Sequence, residues 1–212
     1  AALLAVPSPA AVPGIGSIVF DGLRGEDPMG AHSLRFERRG EELHVFIDIE
    51  LEVKLAFFTA FRYSHSNHEV WRDGRLIAID TETDDDGTAY FVRGRATAGG
   101  FLVESTTGSE LLPATVLPTS YWHPETVERG RFLDTQKGRL IEVSTREVAQ
   151  EALQIDGARV PATRYRMSGD LELDLWYAPN GEWVKIAFDA RGEEGEYFRE
   201  TASPQLAELA AE

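Results

Sequence analysis

The sequence predicts a mainly β protein with one large antiparallel sheet, and three observations support this fold class. Apolar and polar residues alternate along one unusually long segment, turn signals recur at intervals of roughly 8 to 14 residues, and helix signals are scarce. Hydrophobic residues make up 42% of the 212 residues, which is ample for a packed core.

The alternating segment runs from residue 43 to residue 65. Ten of its apolar residues occupy odd positions: Leu43, Val45, Ile47, Ile49, Leu51, Val53, Leu55, Phe57, Phe61 and Tyr63. Because successive side chains of a strand point to opposite faces, the pattern predicts one dry face and one solvated face. A single strand of this length would extend about 75 Å, far beyond the usual length. We therefore expect the chain to bend or fold back within Val53–Ala56, with a turn of helix as the alternative.

Turn signals separate the β-rich runs. They are RDGR (72–75), DDDGT (84–88), AGG (98–100), IDGA (155–158), MSGD (167–170) and PNGE (179–182). Asp-Gly and Asn-Gly favour tight hairpins because they adopt positive φ at little cost. The predicted strands lie near 16–23, 30–39, 42–52, 57–71, 75–83, 88–97, 101–105, 139–149, 158–168, 170–178, 182–190 and 195–200.

Helix signals are confined to three segments. Residues 118–130 contain capping residues, two prolines and a final glycine, which predicts a short helix or an ordered loop. A short C-terminal helix is predicted within 201–212, with Ser203 as N-cap and Pro204 at the first helical position. Residues 144–153 begin with a capping-box pattern, Ser144 and Glu147, but Leu140, Ile141, Val143 and Thr145 favour a continuation of the preceding strand.

The composition argues against several classes of partner. A formal net charge of −15, from 36 acidic and 21 basic residues, repels nucleic acid and anionic membrane surfaces. Because the chain has no cysteine, disulfides and thiolate chemistry are excluded. No apolar run approaches the ~20 residues of a membrane-spanning helix, so we expect no transmembrane segment.

The first residues differ in composition from the rest of the chain. Residues 1–13 are rich in Ala and Pro and resemble the tail of a signal peptide, with Ser8 and Ala10 as small residues before a cleavage point. A disordered Ala/Pro-rich leader is the alternative. We expect a leader at 1–13, a single β-rich domain at 14–200, and an exported, periplasmic protein.

Two polar segments are candidates for metal binding. HSNHE (65–69) offers His65, His68 and Glu69, but His65 and His68 are three apart on a predicted strand and point to opposite faces. DTETDDDG (80–87) supplies oxygen ligands but lacks the alternating acids and late glutamate of a calcium loop. We expect a polar strand end and a solvated turn there, whose acidic residues face water or pair with arginines across the hairpin, with no metal and no cofactor.

No segment has the pattern of a catalytic nucleophile with its base. None of the serines lies in a Gly-x-Ser-x-Gly elbow, and GIGSI (14–18) lacks the preceding strand of a dinucleotide site. Carboxylate pairs for glycoside hydrolysis stay open, because acidic residues occur throughout the chain. The aromatic rings of YWH (121–123) fit core or lid packing, with ligand stacking as the alternative. We expect no catalytic residue.

Four segments resemble an uncharacterised family of exported bacterial proteins, a domain of unknown function. They are EVWRDGRLIAIDTETDDDG (69–87), PTSYWH (118–123), LDTQKGRL (133–140) and GDLELDLWYAPNGEWVKIAF (169–188), and the resemblance extends from Gly14 to Phe198. That family is similar in fold to the carriers of the bacterial lipoprotein-localisation pathway (LolA/LolB-like). The resemblance implies a strongly curved antiparallel sheet that forms an unclosed half barrel, whose concave apolar face is covered by short helices or loops.

The resemblance and the one-sided alternation together predict a non-catalytic protein that binds an apolar, lipid-like ligand or a lipidated partner. The residues expected to line the concave face are Val45, Ile47, Ile49, Leu51, Val53, Phe57, Phe61, Tyr63 and Trp122. Residues expected to be structural are Glu69, Trp71, Asp73, Gly74, Trp176 and Gly181, because the two tryptophan–turn–strand segments look like one hairpin device used twice. Two alternatives stay open: a filled-core structural or interaction protein of the cell envelope, and an envelope-polymer hydrolase with a cleft at Glu69, Asp73 or His123.

Overall fold

A computed structural model describes residues 16–55, 58–190, 192, 194–201 and 203–204 of the chain. Within these residues the chain forms fifteen strands and one short 3-10 helix, Pro124–Glu128. The strands are β1 Gly16–Arg24, β2 Asp27–Arg39, β3 Glu42–Leu55, β4 Phe58–Arg72, β5 Arg75–Asp85, β6 Thr88–Thr97, β7 Gly100–Ser105, β8 Gly108–Leu112, β9 Leu117–Pro118, β10 Arg131–Leu133, β11 Leu140–Ile155, β12 Ala158–Gly169, β13 Leu173–Tyr177, β14 Trp183–Asp189 and β15 Glu194–Arg199.

All fifteen strands belong to one sheet. Their order is β8–β7–β6–β5–β4–β3–β2–β1–β15–β14–β13–β12–β11–β10–β9, and every neighbouring pair is antiparallel except β9 and β10, which are parallel. The edge strands β8 and β9 do not pair with each other within the described residues, so the sheet is not closed. The predicted fold class, a large unclosed antiparallel sheet, is confirmed.

The long alternating segment forms a hairpin of two strands. The chain reverses direction between Leu55 at the end of β3 and Phe58 at the start of β4, and this reversal overlaps the predicted Val53–Ala56 interval. Residues 56 and 57 lie outside the described residues. Because β3 stays extended to Leu55, the alternative of a helical turn there is wrong.

The Asp-Gly turns form as predicted. Asp73-Gly74, Asp86-Gly87 and Asp156-Gly157 each join two antiparallel strands, and in each pair both residues have positive φ, between 50° and 89°. Two consecutive positive φ angles match the right-handed twist of the flanking strands, which is why Asp-Gly is favoured there.

The helix predictions have separate outcomes. Residues 118–130 contain the 3-10 helix, which begins after His123 as N-cap, and residues 144–153 continue strand β11. The leader at 1–13 and most of the C-terminal helix, residues 205–212, lie outside the described residues, so both stay predictions. The short strands β8, β9 and β10 were not predicted, because they are too brief to show a period. Within the described part of the chain no helix has the length and apolarity needed to span a membrane.

The sheet is strongly curved, as the contacts of two consecutive residues, Tyr121 and Trp122, show. The Trp122 side chain contacts Glu69 on β4, while the backbone oxygen of Tyr121 accepts a hydrogen bond from the Tyr177 hydroxyl on β13. In sheet order β4 and β13 are six positions apart, which would be about 29 Å in a flat sheet. Consecutive Cα atoms are only ~3.8 Å apart, so the sheet must curl around this loop.

The outer, convex face carries a second, smaller core. It lies where the far end of the β11–β12 hairpin packs near β13 and β14, and its buried members are Ile155, Val160, Ala162, Trp176, Ala178, Val184 and Ala187. The main core lies on the concave face and takes residues from most strands.

The packing of the concave face makes Gly94 on β6 a point of close approach. A Cβ at this position would lie 2.4 Å from Cε1 of Phe101 and 2.8 Å from Cγ2 of Ile79. We predict that Gly94→Ala lowers the free energy of unfolding by ~1–3 kcal/mol through overpacking. The measurement is the urea midpoint at constant m-value.

Gly99→Ala is the matched control, because the nearest atom to its added Cβ, Cδ2 of Leu111, is 3.7 Å away. Its free energy of unfolding should change by no more than ~0.5 kcal/mol. Equal midpoints for the two variants would contradict the packing described for Gly94.

Candidate functional site on the concave face

The predicted lining residues lie on the concave face in a gradient of exposure. The sealed members are Val45, Ile47 and Trp122, with 0%, 2% and 4% of their surface exposed. The half-buried members are Ile49, Leu51, Val53, Phe61 and Tyr63. Phe57 lies outside the described residues. Exposure therefore increases along β3 towards the β3–β4 turn.

One segment of the chain covers part of the concave face. This cover segment, Pro113–Arg139, contains β9, the 3-10 helix and β10. The Thr81 hydroxyl on β5 donates to the backbone oxygen of Thr135 at 2.8 Å, and the Gln136 amide donates to Asp85 at 3.0 Å. The cover segment thus lies against the β4–β7 part of the sheet, and short loops cover the face as the resemblance implied.

A buried carboxylate joins the cover segment to the sheet. Glu69 on β4 is 0% exposed. Its Oε2 accepts hydrogen bonds from the indole Nε1 of Trp71 and of Trp122, each at 2.9 Å, and its Oε1 accepts one from Asn67 at 3.0 Å. The Ser120 side chain is a further hydrogen-bond donor to this carboxyl group. The expectation that the acidic residues of this segment face water or form cross-strand pairs is therefore wrong for Glu69.

The environment of Glu69 acts on its pKa in two opposite directions. Burial raises the pKa of the carboxyl group above its usual range, and this effect is the largest. The hydrogen bonds from Trp122, Ser120, Trp71 and Asn67 lower the pKa in part, because they stabilise the charged form. The net direction is upward.

A strained turn aims the Trp122 indole at Glu69. Tyr121 has φ of 60°, and the Trp122 amide donates to the Ser120 backbone oxygen at 2.8 Å, which is the pattern of a γ-turn with a positive central φ. Such turns are rare for residues with a side chain and persist only where surrounding contacts hold them. The Tyr177 hydroxyl supplies one such contact, since it donates to the Tyr121 oxygen at 2.6 Å.

Beside this cluster lies a small polar pocket of about 290 Å³. Trp71 stacks on His123, with ring centroids 5.0 Å apart and an interplanar angle of 19°. The lining residues are Asp73, Gly74, Arg75, Leu76, Thr115, Val116, Leu117, His123, Glu125 and Arg129. Burial lowers the pKa of His123, and its Nδ1 accepts the Glu125 amide hydrogen at 3.2 Å.

The pocket brings together two of the three residues named for the hydrolase alternative. Asp73 and His123 line the same space, whereas Glu69 is sealed behind Trp71 and has no surface for a substrate. A general acid or base must come within hydrogen-bond reach of the reacting group, which a fully buried Glu69 does not do.

Sequence reasoning missed the buried polar residues of the concave face. His32 on β2 and His65 on β4 are each 4% exposed, and burial lowers the pKa of His32 to about 3 and that of His65 to about 4. His65 Nδ1 lies 2.7 Å from the Thr83 hydroxyl, whereas neither ring nitrogen of His32 has a hydrogen-bond partner within the described residues. The sequence contains a signal that could have identified His65 and Asn67 as buried. They continue the odd-numbered positions of the apolar face beyond Tyr63.

The two tryptophan–turn–strand segments are not one device used twice. Trp71 faces the concave core, whereas Trp176 belongs to the convex cluster and donates to Glu151 at 2.9 Å. The turn Asp73-Gly74 contains two residues, whereas five residues separate Tyr177 from Trp183 in the loop that contains Gly181. The similarity between the two segments is therefore limited to the residue types of their turns.

His65 and His68 lie on opposite faces of β4, as the sequence predicts. His65 contacts Thr83 in the interior, and His68 contacts Phe46 and His44 on the outside. Across the described residues, no group of three His, Cys, Asp or Glu side chains is placed to hold a metal ion.

Comparisons with known proteins bear on family and fold. A family model described as "Domain of unknown function (DUF6134)" matches residues 20–200. The chain is also similar in structure to a beta-barrel-like protein of the domain of unknown function DUF1849 from Brucella abortus, with 13% sequence identity and a TM-score of 0.62. That similarity covers 87% of this chain and 95% of the other, and at this identity it concerns the fold alone. None of the curated proteins matches the chain.

The hydrogen bonds of Glu69 predict a large cost for its amide counterpart. In Glu69→Gln one acceptor oxygen becomes an NH₂ group, so at least one buried N–H of Trp71, Trp122 or Asn67 loses its acceptor. We expect a loss of ~1–3 kcal/mol in the free energy of unfolding. Glu104→Gln, an exposed change on β7, is the control and should stay within ~0.5 kcal/mol. Equal stabilities for the two variants would show that the indole contacts do not stabilise the fold.

The raised pKa of Glu69 predicts how this difference depends on pH. A carboxyl group whose folded-state pKa is raised stabilises the fold fully below its unfolded pKa of about 4.3, and that contribution is lost as the pH rises through the folded pKa. The stability gap between the wild type and Glu69→Gln should therefore be widest at low pH and narrow as the pH rises. Urea unfolding of both proteins at several pH values measures it, and a gap that widens with pH contradicts the upward direction.

Proposed function

This chain belongs to the DUF6134 family of domains of unknown function, and we propose that it binds an apolar, lipid-like ligand, or the lipid chain of a modified partner, on the half-buried part of its concave face. The observation that supports this proposal is the exposure gradient along β3. Side chains on one face change from sealed at Val45 and Ile47 to half-buried at Ile49, Leu51 and Val53.

The half-buried residues continue the main core. Ile49, Leu51 and Val53 pack against it, as do the half-buried Tyr121 and Phe188. Apolar surface that adjoins a core and keeps part of its area in contact with water gains free energy when another apolar group covers it. An acyl chain is a suitable group, since each buried CH₂ contributes ~0.8 kcal/mol.

The cover segment limits where such a ligand would lie. Trp122, Thr135 and Gln136 already contact β4 and β5 on the concave face, so that part is filled by the protein's own chain. This filling is what the alternative of a structural or interaction protein expects for the whole face. The two proposals therefore differ at β3, where the lining is half-buried.

The proposal predicts saturable binding of a fluorescent fatty-acid probe, 11-(dansylamino)undecanoic acid, to the full chain. Leu51→Asn should weaken the probe affinity at least tenfold, because it places an amide on the apolar lining. Glu50→Gln is the matched control, since Glu50 is the adjacent residue of β3, is exposed and points to the opposite face. Its affinity should equal that of the wild type.

Circular dichroism and the melting temperature of each variant establish that it is folded before its affinity is read. Native mass spectrometry of gently purified protein should show an apolar adduct. A clean apo mass together with equal probe affinities for Leu51→Asn and Glu50→Gln would exclude the ligand proposal and favour a filled interior.

A further inference from the structure

The convex face of β3 and β4 carries a histidine pair that the concave-face chemistry does not use. His44 Nδ1 and His68 Nε2 lie 2.9 Å apart. They sit on the solvated face of the hairpin with Phe46, whose ring lies parallel to that of His68 at 4.4 Å. His44 is nearly buried, and His68 is half-buried.

A carboxylate fixes which nitrogen of His44 carries the proton. Oε2 of Glu42 lies 3.3 Å from His44 Nε2, and a carboxylate accepts hydrogen bonds only, so Nε2 is the protonated nitrogen. Arg72 pairs with Glu42 and lowers the pKa of that carboxyl group, which keeps it charged. His44 Nδ1 therefore presents a lone pair towards His68.

This arrangement is the one in which proteins prepare an imidazole for a metal ion. Metal-binding histidines usually donate their other ring N–H to a carboxylate, which orients the ring and raises its basicity. Neutral imidazole is the ligand form, and burial together with the neighbouring His44 lowers the pKa of His68 and keeps it neutral. Imidazole nitrogens suit Zn²⁺, Ni²⁺ and, most tightly, Cu²⁺.

We propose that His44 Nδ1 and His68 Nε2 together bind a divalent first-row transition metal ion on the convex face of the β3–β4 hairpin. In the metal-free protein the His68 Nε2–H donates to His44 Nδ1. On binding, that proton moves to His68 Nδ1, so both lone pairs face the ion and no proton is released. Metal–nitrogen distances of ~2.0–2.1 Å place two neighbouring nitrogens about 2.9 Å apart in a square-planar site and about 3.3–3.4 Å apart in a tetrahedral one, and rotation of the half-buried His68 ring turns its lone pair towards the ion.

The histidine pair supplies two ligands, and water completes the coordination. Asp80 is the cross-strand neighbour of His68 on β5 and is close enough to raise the pKa of His68 by its charge. Its carboxylate lies 3.5 Å from Arg93, a loose contact that leaves it able to turn towards a bound ion.

The charges around the pair are of both signs: Arg39 and Arg35 oppose a positive charge at His68, and Asp80 favours one. Arg35 and Arg39 share Glu37, Arg72 pairs with Glu42, and Arg93 lies between Asp80 and Glu82. Four guanidinium groups are thus matched by four carboxylates within this patch. In addition, the net charge of −15 on the whole chain attracts cations over a longer range.

Titration of the full chain with Cu²⁺ tests the proposal, with isothermal calorimetry for affinity and pulsed electron paramagnetic resonance for the number of bound imidazoles. One Cu²⁺ with two imidazoles is expected for the wild type. His68→Gln should weaken the affinity at least tenfold and leave one imidazole. Glu42→Gln should weaken it about tenfold and keep two, because only the orienting hydrogen bond is lost.

Glu82→Gln removes a charge from the same patch without touching either imidazole and should change the affinity less than twofold. Circular dichroism verifies that each variant is folded. Wild-type affinity in His68→Gln and His44→Gln, or an imidazole signal that neither substitution reduces, would place the copper elsewhere and overturn the proposal.

Discussion

The fold depends on a carboxylate that has no contact with water. Glu69 is fully buried on the concave face, and its oxygens accept hydrogen bonds from N–H groups of its own strand and of the cover segment. A buried charge without such donors costs several kcal/mol, so the sheet and the cover segment are stable only together. Trp71 and Trp122 satisfy the carboxylate and bury large aromatic rings in the same step.

The curvature of the sheet follows from the same contact. Trp122 is held at β4 by Glu69, and Tyr121 is held at β13 by the Tyr177 hydroxyl, so two adjacent residues connect strands that are distant in sheet order. Tyr121 adopts a strained, positive φ, and this backbone conformation lets residues 121 and 122 contact β13 and β4 respectively. Around this point one part of the concave face is filled, and the part near the β3–β4 turn keeps half-buried apolar side chains.

The two faces of the β3–β4 hairpin have different chemistry because successive side chains of a strand point to opposite faces of the sheet. His65 faces the interior, where burial lowers its pKa to about 4, while His68 faces outwards and pairs with His44. An apolar ligand on the concave face and a metal ion on the convex face would therefore use alternate residues of the same strands. Neither site requires the other.

The sequence by itself determined the strands, most of the turns and the apolar face of β3, because these follow from local rules. Alternation fixes which side chains share a face, and Asp-Gly fixes where three hairpins turn. It also placed Val45, Ile47 and Trp122 on the concave face. The half-barrel shape was predicted from the family resemblance and not from these local rules.

Only the tertiary structure decided the role of Glu69, the opposite faces of Trp71 and Trp176, and the short strands of the cover segment. Each of these depends on contacts between residues far apart in the chain, such as the 53 positions between Glu69 and Trp122. The local sequence pattern alone predicts that an acidic residue beside a turn is solvated. Whether it is solvated depends on what the rest of the chain places over it. Here the cover segment places the Trp122 indole and Ser120 over Glu69, beside the Trp71 indole of the same strand.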